Sequence, residues 1–219
     1  MENQIKSKQR VKDHGEVFTP QNIVNDMLDL VKHETERIES RFLEPACGSG
    51  NFLVEVLKRK QSLIEKRYKK EQLSYEKYIL IAISSIYGID LLEDNVLEAR
   101  KRLFEIFDTQ YTKLYKNNSK DELRKSIKYI LDRNIIVGNA LTLQTEDKKP
   151  IVFSEWSLVN SNMIKRRDFT LDHLLEVENT KPKDSLFASS YEDDPAFIAK
   201  PIKEYKLIHF LKIGQNDDE

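Results

Sequence analysis

The sequence predicts an α/β fold, a mostly parallel sheet with flanking helices that is abbreviated in its C-terminal half. Three observations carry this. Short apolar runs suited to buried strands, at Phe42-Leu43-Glu44, Ile86-Tyr87-Gly88-Ile89-Asp90 and Ile135-Ile136-Val137, alternate with longer segments of helical period. A Gly-x-Gly turn, Gly48-Ser49-Gly50, joins the first run directly to an amphipathic segment. Beyond residue 160 the alternation decays and leaves one late strand candidate, at 206–213.

The elements follow in order. Residues 1–14 read as a charged, mobile arm. Thr19 is a good N-cap and Pro20 suits the first helical position, so a helix is expected within 15–33, with Ile23, Val24, Met27, Leu28 and Val31 repeating near 3.6. A strand at 41–45 leads through the glycine turn to a long helix at 50–69, on which Phe52, Leu53, Val56 and Leu57 are apolar. A helix at 73–85 precedes the strand at 86–90. Val96, Leu97, Ala99, Leu103, Phe104 and Phe107 make a core stripe on a helix from 94 to about 114. A turn at 116–119 follows, with Ser119 capping a helix at 121–132. The third strand is 134–138, and 151–153 is a candidate fourth. Strands alternating with helices favour parallel pairing by right-handed crossovers. The stretch 181–194 is polar, and 191–195 reads as a loop. The expected organisation is an arm at 1–14, a domain at 15–160 and a C-terminal extension at 161–219.

Composition narrows the function classes. The 219 residues carry 36 Lys or Arg against 37 Asp or Glu, a net charge of −1, which suits a globular domain of ordinary surface. There is no apolar run of membrane-spanning length and no signal-peptide pattern, so a cytoplasmic protein is expected. Cys47 is the single cysteine, which excludes a disulfide within the chain and a cysteine-based metal cluster, and the 4 histidines have no metal-ligand spacing. Cys47 reads as a small buried turn residue rather than a nucleophile.

The glycine turn has chemistry of its own. It lets a ligand approach bare backbone, and the helix start behind it offers unpaired N–H groups. Asp90 ends the next strand, where an acid can accept both hydroxyls of a ribose; the competing role is a cap on the helix that follows. Glu44 ends the first strand and can meet a cationic amine, or stand as a simple strand-end acid.

Taken together, Gly15-Glu16-Val17-Phe18-Thr19-Pro20, Leu43-Glu44-Pro45-Ala46-Cys47-Gly48-Ser49-Gly50-Asn51-Phe52-Leu53, Ile86-Tyr87-Gly88-Ile89-Asp90 and Ile135-Ile136-Val137-Gly138-Asn139-Ala140-Leu141 resemble the N6-adenine DNA methyltransferases of bacterial restriction–modification systems. The motifs stand in the family's order and cover about two-thirds of the chain. The resemblance implies a Rossmann-like fold dependent on S-adenosylmethionine (SAM). It implies cofactor contacts from Phe18, Thr19, Glu44, Pro45, Ala46, Cys47, Gly48, Ser49, Gly50, Asp90 and Asn139. Glu44 would then meet the methionine ammonium and Asp90 the ribose. The family usually has Asp where this chain has Asn139. Asn139 can still accept from the adenine amine through its carbonyl and adds two donors; a plain Gly-Asn turn fits equally well.

The family's catalytic signature is Asn or Asp, then Pro-Pro, then an aromatic. The 6 prolines here stand at 20, 45, 150, 182, 195 and 201, so no two are adjacent. In the corresponding region, 149–162, Asn160 or Asn162 could accept an amine proton and Trp156 could stack on a base, and Trp156 reads better as packing against the sheet edge. Lys165-Arg166-Arg167 is the better candidate for DNA contact; Lys58-Arg59-Lys60, Lys66-Arg67 and Lys69-Lys70 read as solvated helix faces. The resemblance thus implies adenine methylation in DNA, with a protein partner expected to supply the catalytic motif or target recognition. The alternative is a non-catalytic SAM-binding subunit, or half of a split enzyme.

Overall fold

A computed structural model describes residues 5–180 and 200–215. It is an α/β structure built on a three-stranded parallel sheet, β1 (Phe42–Glu44), β2 (Ile86–Asp90) and β3 (Ile135–Val137), with β2 central. Helices α1 (Lys8–His14), α2 (Gln21–Leu30) and α3 (Lys32–Thr35) precede β1. Between β1 and β2 lie α4 (Asn51–Tyr68) and α5 (Gln72–Ser84), and between β2 and β3 lie α6 (Glu93–Tyr115) and α7 (Asp121–Asn134). Parallel strands need such crossovers, and the helices bury one face of the sheet.

The burial follows the sequence periods. Leu53, Val56 and Leu57 on α4, and Val96, Ala99, Leu103 and Phe107 on α6, are inside the core, together with Ile79, Leu80 and Ile83 of α5. Leu97 is 54% exposed, because α6 turns a narrower stripe inward than its run of apolar residues suggests. On β2 the pleat sends Ile86 into this core, while Tyr87 joins a second, smaller core with Ile151, Phe153 and Leu171 on the opposite side of the sheet.

Several boundaries differ from expectation. Residues 15–20 carry no regular structure; α2 starts at Gln21 with Pro20 as its cap and no side-chain cap bond, so Thr19 is one residue too early. Proline at 20 keeps an extended conformation there (ψ 150°) and the helix begins after it. Only Val24 and Leu28 of that helix are buried; Ile23, Met27 and Val31 are exposed. Ser119 does not cap α7: Lys120 is the cap residue, and among the described residues the buried Ser119 hydroxyl has no hydrogen-bond partner. The segment expected as an arm contains α1, capped by Ser7, whose Oγ accepts from the Arg10 amide.

The C-terminal half departs most. The expected strand at 151–153 is the start of β4 (Val152–Val159), which forms a long antiparallel hairpin with β5 (Met163–Thr170), followed by α8 (Leu171–Thr180). This hairpin belongs to a separate sheet rather than widening the parallel one. The candidate strand at 206–213 is divided: β6 (Lys203–Glu204) and β7 (Ile208–His209) both pair with β5, and a 3-10 turn at Phe210–Lys212 closes the run. The loop expected at 191–195 lies outside the described residues. Among the described residues β1 pairs only with β2, so its outer edge is open, and no helix is long and apolar enough to cross a membrane.

Candidate functional site

The carboxyl ends of β1, β2 and β3 open into a cleft of about 710 Å3. Its walls are the 15–19 segment with Met27, the turn from Glu44 to Gly48 with Asn51 and Phe52, the β2 end from Asp90 to Leu92 with Asn95, and Gly138 to Leu141. In open α/β sheets this is where ligands bind, because the chain reverses there and leaves backbone groups unpaired. Another hollow, of about 570 Å3 between α4 and α6, is lined by Lys58, Glu65, Arg102 and Glu105 and does not include the strand ends.

The turn is tied to the sheet from several sides. The Cys47 amide donates to the Ile89 carbonyl and the Gly50 amide to the Cys47 carbonyl, both at 2.8 Å. The Gly48 amide donates to Asp90 Oδ2 at 2.8 Å. Gly48 has φ 52°, and a Cβ there would stand 3.0 Å from the Phe18 ring, so both the backbone and the cleft wall require glycine. Gly88 is required for another reason: a Cβ would meet Leu53 Cδ1 at 2.8 Å and Cys47 Sγ at 3.0 Å, where the turn passes over β2. Helix α4 begins at Asn51 without a side-chain cap, and Asn51 and Phe52 line the cleft, so the helix start remains open toward a ligand.

Each expected residue can now be located. Phe18, Thr19, Glu44, Pro45, Ala46, Cys47, Gly48, Asp90 and Asn139 all line the one cleft. Thr19 also receives the Asn51 side-chain amide on its carbonyl at 3.1 Å, which ties the 15–19 wall to α4. Ser49 and Gly50 stand behind the cleft wall. Arg102 on α6 donates to the Ser49 carbonyl (2.7 Å) and to Asn51 Oδ1 (2.8 Å), and a Cβ on Gly50 would meet Ala99 at 3.0 Å. They shape the turn by packing.

Glu44 is half-buried; burial raises its carboxyl pKa, and a bond from the Ala46 backbone opposes the rise. Burial, with the nearby charges of Asp90 and Glu44, pushes the Cys47 thiol up to about 12. It is a neutral thiol at ordinary pH and no nucleophile. Asp90 is engaged by protein donors: Oδ2 by Gly48, Oδ1 by the Leu92 amide (2.9 Å) and Asn95 Nδ2 (3.1 Å). It therefore performs the local capping role too, and each oxygen keeps limited room for a further donor. Asn139 turns its Oδ1 inward, accepting from the amides of Leu141 (2.9 Å) and Thr142 (3.2 Å). Its side chain closes the turn and leaves the amide NH2 as the group to offer a ligand.

Residues 19–160 match the family model "MmeI, DNA-methyltransferase domain". The chain belongs to this DNA-methyltransferase family. DNA methyltransferase A of Bacillus subtilis (strain 168) is 29% identical over 125 residues, 56% of this chain. That match spans 14% of the relative's length. No solved structure matches the chain.

The matched span takes in the cleft apart from residues 15–18 and ends with β4, which bears on the other candidates of this methyltransferase domain. Trp156 is buried, and its Nε1 donates to Asn134 Oδ1 at 3.1 Å. Asn134 closes α7 just before β3 and donates to the carbonyls of Ser84 and Ile86, so Trp156 sits at the amino end of the parallel sheet. The depth of that sheet, roughly 15 Å at about 3.3 Å per residue, separates it from the cleft. Asn160 and Asn162 lie further on, in the β4–β5 turn, where Asn160 has φ 48° and the Asn162 carbonyl accepts from the Phe210 amide. The structure does not bring these three to the cleft. The extended strand carries them away from it.

The basic run is also divided. On β5 side chains alternate, and Arg166 points inward, buried against Asp168 (2.9 Å), Tyr129 and Ser154. Lys165 pairs with Glu204 and Arg167 with Glu155. Lys60 likewise is no surface cation: it is fully buried, with Nζ bonded to the Ile38 carbonyl (3.0 Å), the Ser40 carbonyl and Ser85 Oγ (2.5 Å). Among the described residues no group of His, Cys, Asp or Glu is arranged to hold a metal ion.

Sequence reasoning missed Glu16 and Asn95, which stand beside Asp90 in the cleft wall. Glu16 lies in the Gly15–Pro20 motif, yet nothing in one sequence pairs it with a residue on α6.

Proposed function

We propose that this chain is the cofactor-binding part of an N6-adenine DNA methyltransferase of the restriction–modification type, on a Rossmann-like fold, with SAM in the cleft at the strand ends. The observation that carries the reading is the convergence of Glu44, the Gly48 turn, Asp90 and Asn139 on one cavity of about 710 Å3 within the family-matched span. Cavities of about 300–1,000 Å3 suit ligands of nucleoside size. The donor set fits as well. Glu44, with no side-chain partner among the described residues, would face the methionine ammonium. The uncapped start of α4 would hold the methionine carboxylate, and the Asn139 amide and the apolar side chain of Leu91 would hold the adenosine.

When bound, SAM supplies an electrophilic methyl group. The chain's own residues bind and orient it: the Gly48 turn fixes its approach, and Phe18 and Leu91 exclude water from the cavity walls. The acceptors that would hold a flipped adenine amine are not found here as Pro-Pro, and Asn160, Asn162 and Trp156 stand at the other end of the sheet. We therefore assign target positioning and sequence reading to a partner chain or further sequence. Lys165 and Arg167 remain the candidate DNA contacts on the outer face of β5; Arg166 serves packing.

Calorimetric titration with SAM and S-adenosylhomocysteine tests the reading. Stoichiometric binding that is lost in Gly48→Val supports it. Binding that survives Gly48→Val puts the cofactor elsewhere.

A further inference from the structure

The groups that brace Asp90 come from two segments outside the glycine turn. Asn95, in the first turn of α6 and 1% exposed, donates from Nδ2 both to Asp90 Oδ1 (3.1 Å) and to Glu16 Oε1 (2.7 Å). The Glu16 side chain is 7% exposed and takes Arg10 in a two-point pair, Nε to Oε2 at 2.6 Å and Nη2 to Oε1 at 2.8 Å. Lys6 Nζ completes the Asn95 amide by donating to its Oδ1 at 2.7 Å. The bonds run unbroken from α1, through the 15–19 wall and α6, to Asp90, and from Asp90 Oδ2 to the Gly48 amide at 2.8 Å. Two walls of the cleft, the 15–19 segment and the glycine turn, are joined by this relay through the end of β2, as they are joined by the Asn51 bond to the Thr19 carbonyl at the start of α4.

The relay is built from bonds to the carboxylates of Glu16 and Asp90 that are partly shielded from water, and charge-assisted bonds are stronger than neutral ones. Arg10 holds the Glu16 carboxyl below its usual range, so Glu16 stays an acceptor for Asn95 at ordinary pH. Without Glu16, the Asn95 amide loses one of its two acceptors and is steered only by Lys6 and Arg10 on its Oδ1, with Arg10 itself released from its carboxylate partner. The Asn95 bond to Asp90 Oδ1, at 3.1 Å, then has no second anchor on Nδ2, and the Asp90 carboxylate gains freedom to turn off Gly48.

We propose that Glu16 and Asn95 are positioning residues for cofactor binding: they hold Asp90 in the rotamer that clamps the Gly48 turn, and so set the affinity of the cleft. This rests on the reading that SAM occupies the cleft. It assigns a role to two side chains whose effect passes through Asp90.

The test is a mutant cycle on the full chain, with S-adenosylhomocysteine as the titrant and hydrogen exchange at the Gly48 amide as a ligand-free readout. Glu16→Ala is expected to weaken binding at least tenfold, and Glu16→Gln, which keeps one acceptor for Asn95, to weaken it less. In an Asp90→Ala background Glu16→Ala is expected to cost nothing more, because its route is already gone. Glu16→Ala should also speed exchange at Gly48 at least tenfold while amides in α5 are unchanged. Asn95→Leu, which keeps the volume and removes the donor, should behave the same way and serves where Glu16→Ala does not fold. Losses that add in the double variant, or unchanged affinity, overturn the proposal. If the unaltered chain binds no S-adenosylhomocysteine, the cofactor reading fails, and the Gly48 exchange rates alone decide: equal rates overturn the relay.

Discussion

Single residues define this cleft by what they exclude as much as by what they offer. Gly48 combines a left-handed φ with contact to Phe18, so a valine there fills ligand space and strains the backbone together. Asp90→Ala removes the acceptor of the Gly48 amide and is expected to weaken SAM binding by roughly 1.5–3 kcal/mol, the range for charge-assisted bonds; an unchanged calorimetric Kd would contradict this. Lys60 gives a second prediction. Burial lowers its pKa from 10.5 to about 7, against the pull of Glu39 and Glu34. Between those pH values the unfolded chain binds more protons than the native one, so stability rises with pH across that window. Urea unfolding at pH 7.5 and 9.5 should show the increase, and Lys60→Met should abolish it. That substitution also strands the Ser40 carbonyl and leaves the Ile38 carbonyl only a 3.5 Å bond from Ser85 Oγ, at a cost of about 1–3 kcal/mol for a buried group left unpaired.

At the scale of elements, ends and contacts decide more than propensity. Helix α1 has seven residues, too few to stand alone in water. It is held by Arg10 and Lys6, which reach Asp94 at 2.8 and 3.1 Å on α6. The Arg10 hydrogen bond first, then Lys6, brings the Asp94 carboxyl down to about 2, and Glu16 is lowered by Arg10 likewise. Because the folded values lie below the unfolded ones, this stabilisation is present above about pH 4 and is lost as pH falls through the folded values. Amide exchange in α1 is expected to accelerate between about pH 4 and pH 2 before the core opens. Arg10→Ala should show the fast exchange already at pH 7. The β4–β5 hairpin illustrates the same point in reverse. Only its start, at 151–153, was legible as a strand, and the pairing of β4 with β5 buries both Trp156 and Arg166.

For the whole molecule, the cleft proposed for the cofactor and the expected target-handling residue Trp156 lie at opposite ends of the parallel sheet. The 219-residue chain is therefore expected to bind SAM and to transfer little or no methyl to duplex DNA. Orientation of the reacting groups alone can supply roughly 7–11 kcal/mol, and the acceptors that would orient a flipped base are not in the cleft. Radiolabelled methyl transfer to mixed-sequence DNA checks this. Robust adenine methylation by the chain alone would overturn it, and activity appearing only with a second chain would support the division of labour. The open edge of β1 is consistent with that division, since an unpaired edge strand is normally covered.

Much of the fold was written in local sequence. The three parallel strands, the four long helices between them and the glycine turn followed from apolar period and from the Gly48-Ser49-Gly50 run, each a feature of residues close along the chain. The family match, over residues 19–160, spans these strands and the glycine turn. What only the tertiary structure decided are the pairings between distant segments. It put Lys60 under β1 rather than in water and turned Asn139 Oδ1 onto its own loop. It carried Trp156, Asn160 and Asn162 away from the cleft along β4, and it joined Glu16 to Asp90 through Asn95. Period and propensity report one segment at a time, whereas a buried lysine or a bridging amide is fixed by which remote groups surround it, and no spacing in the sequence encodes that.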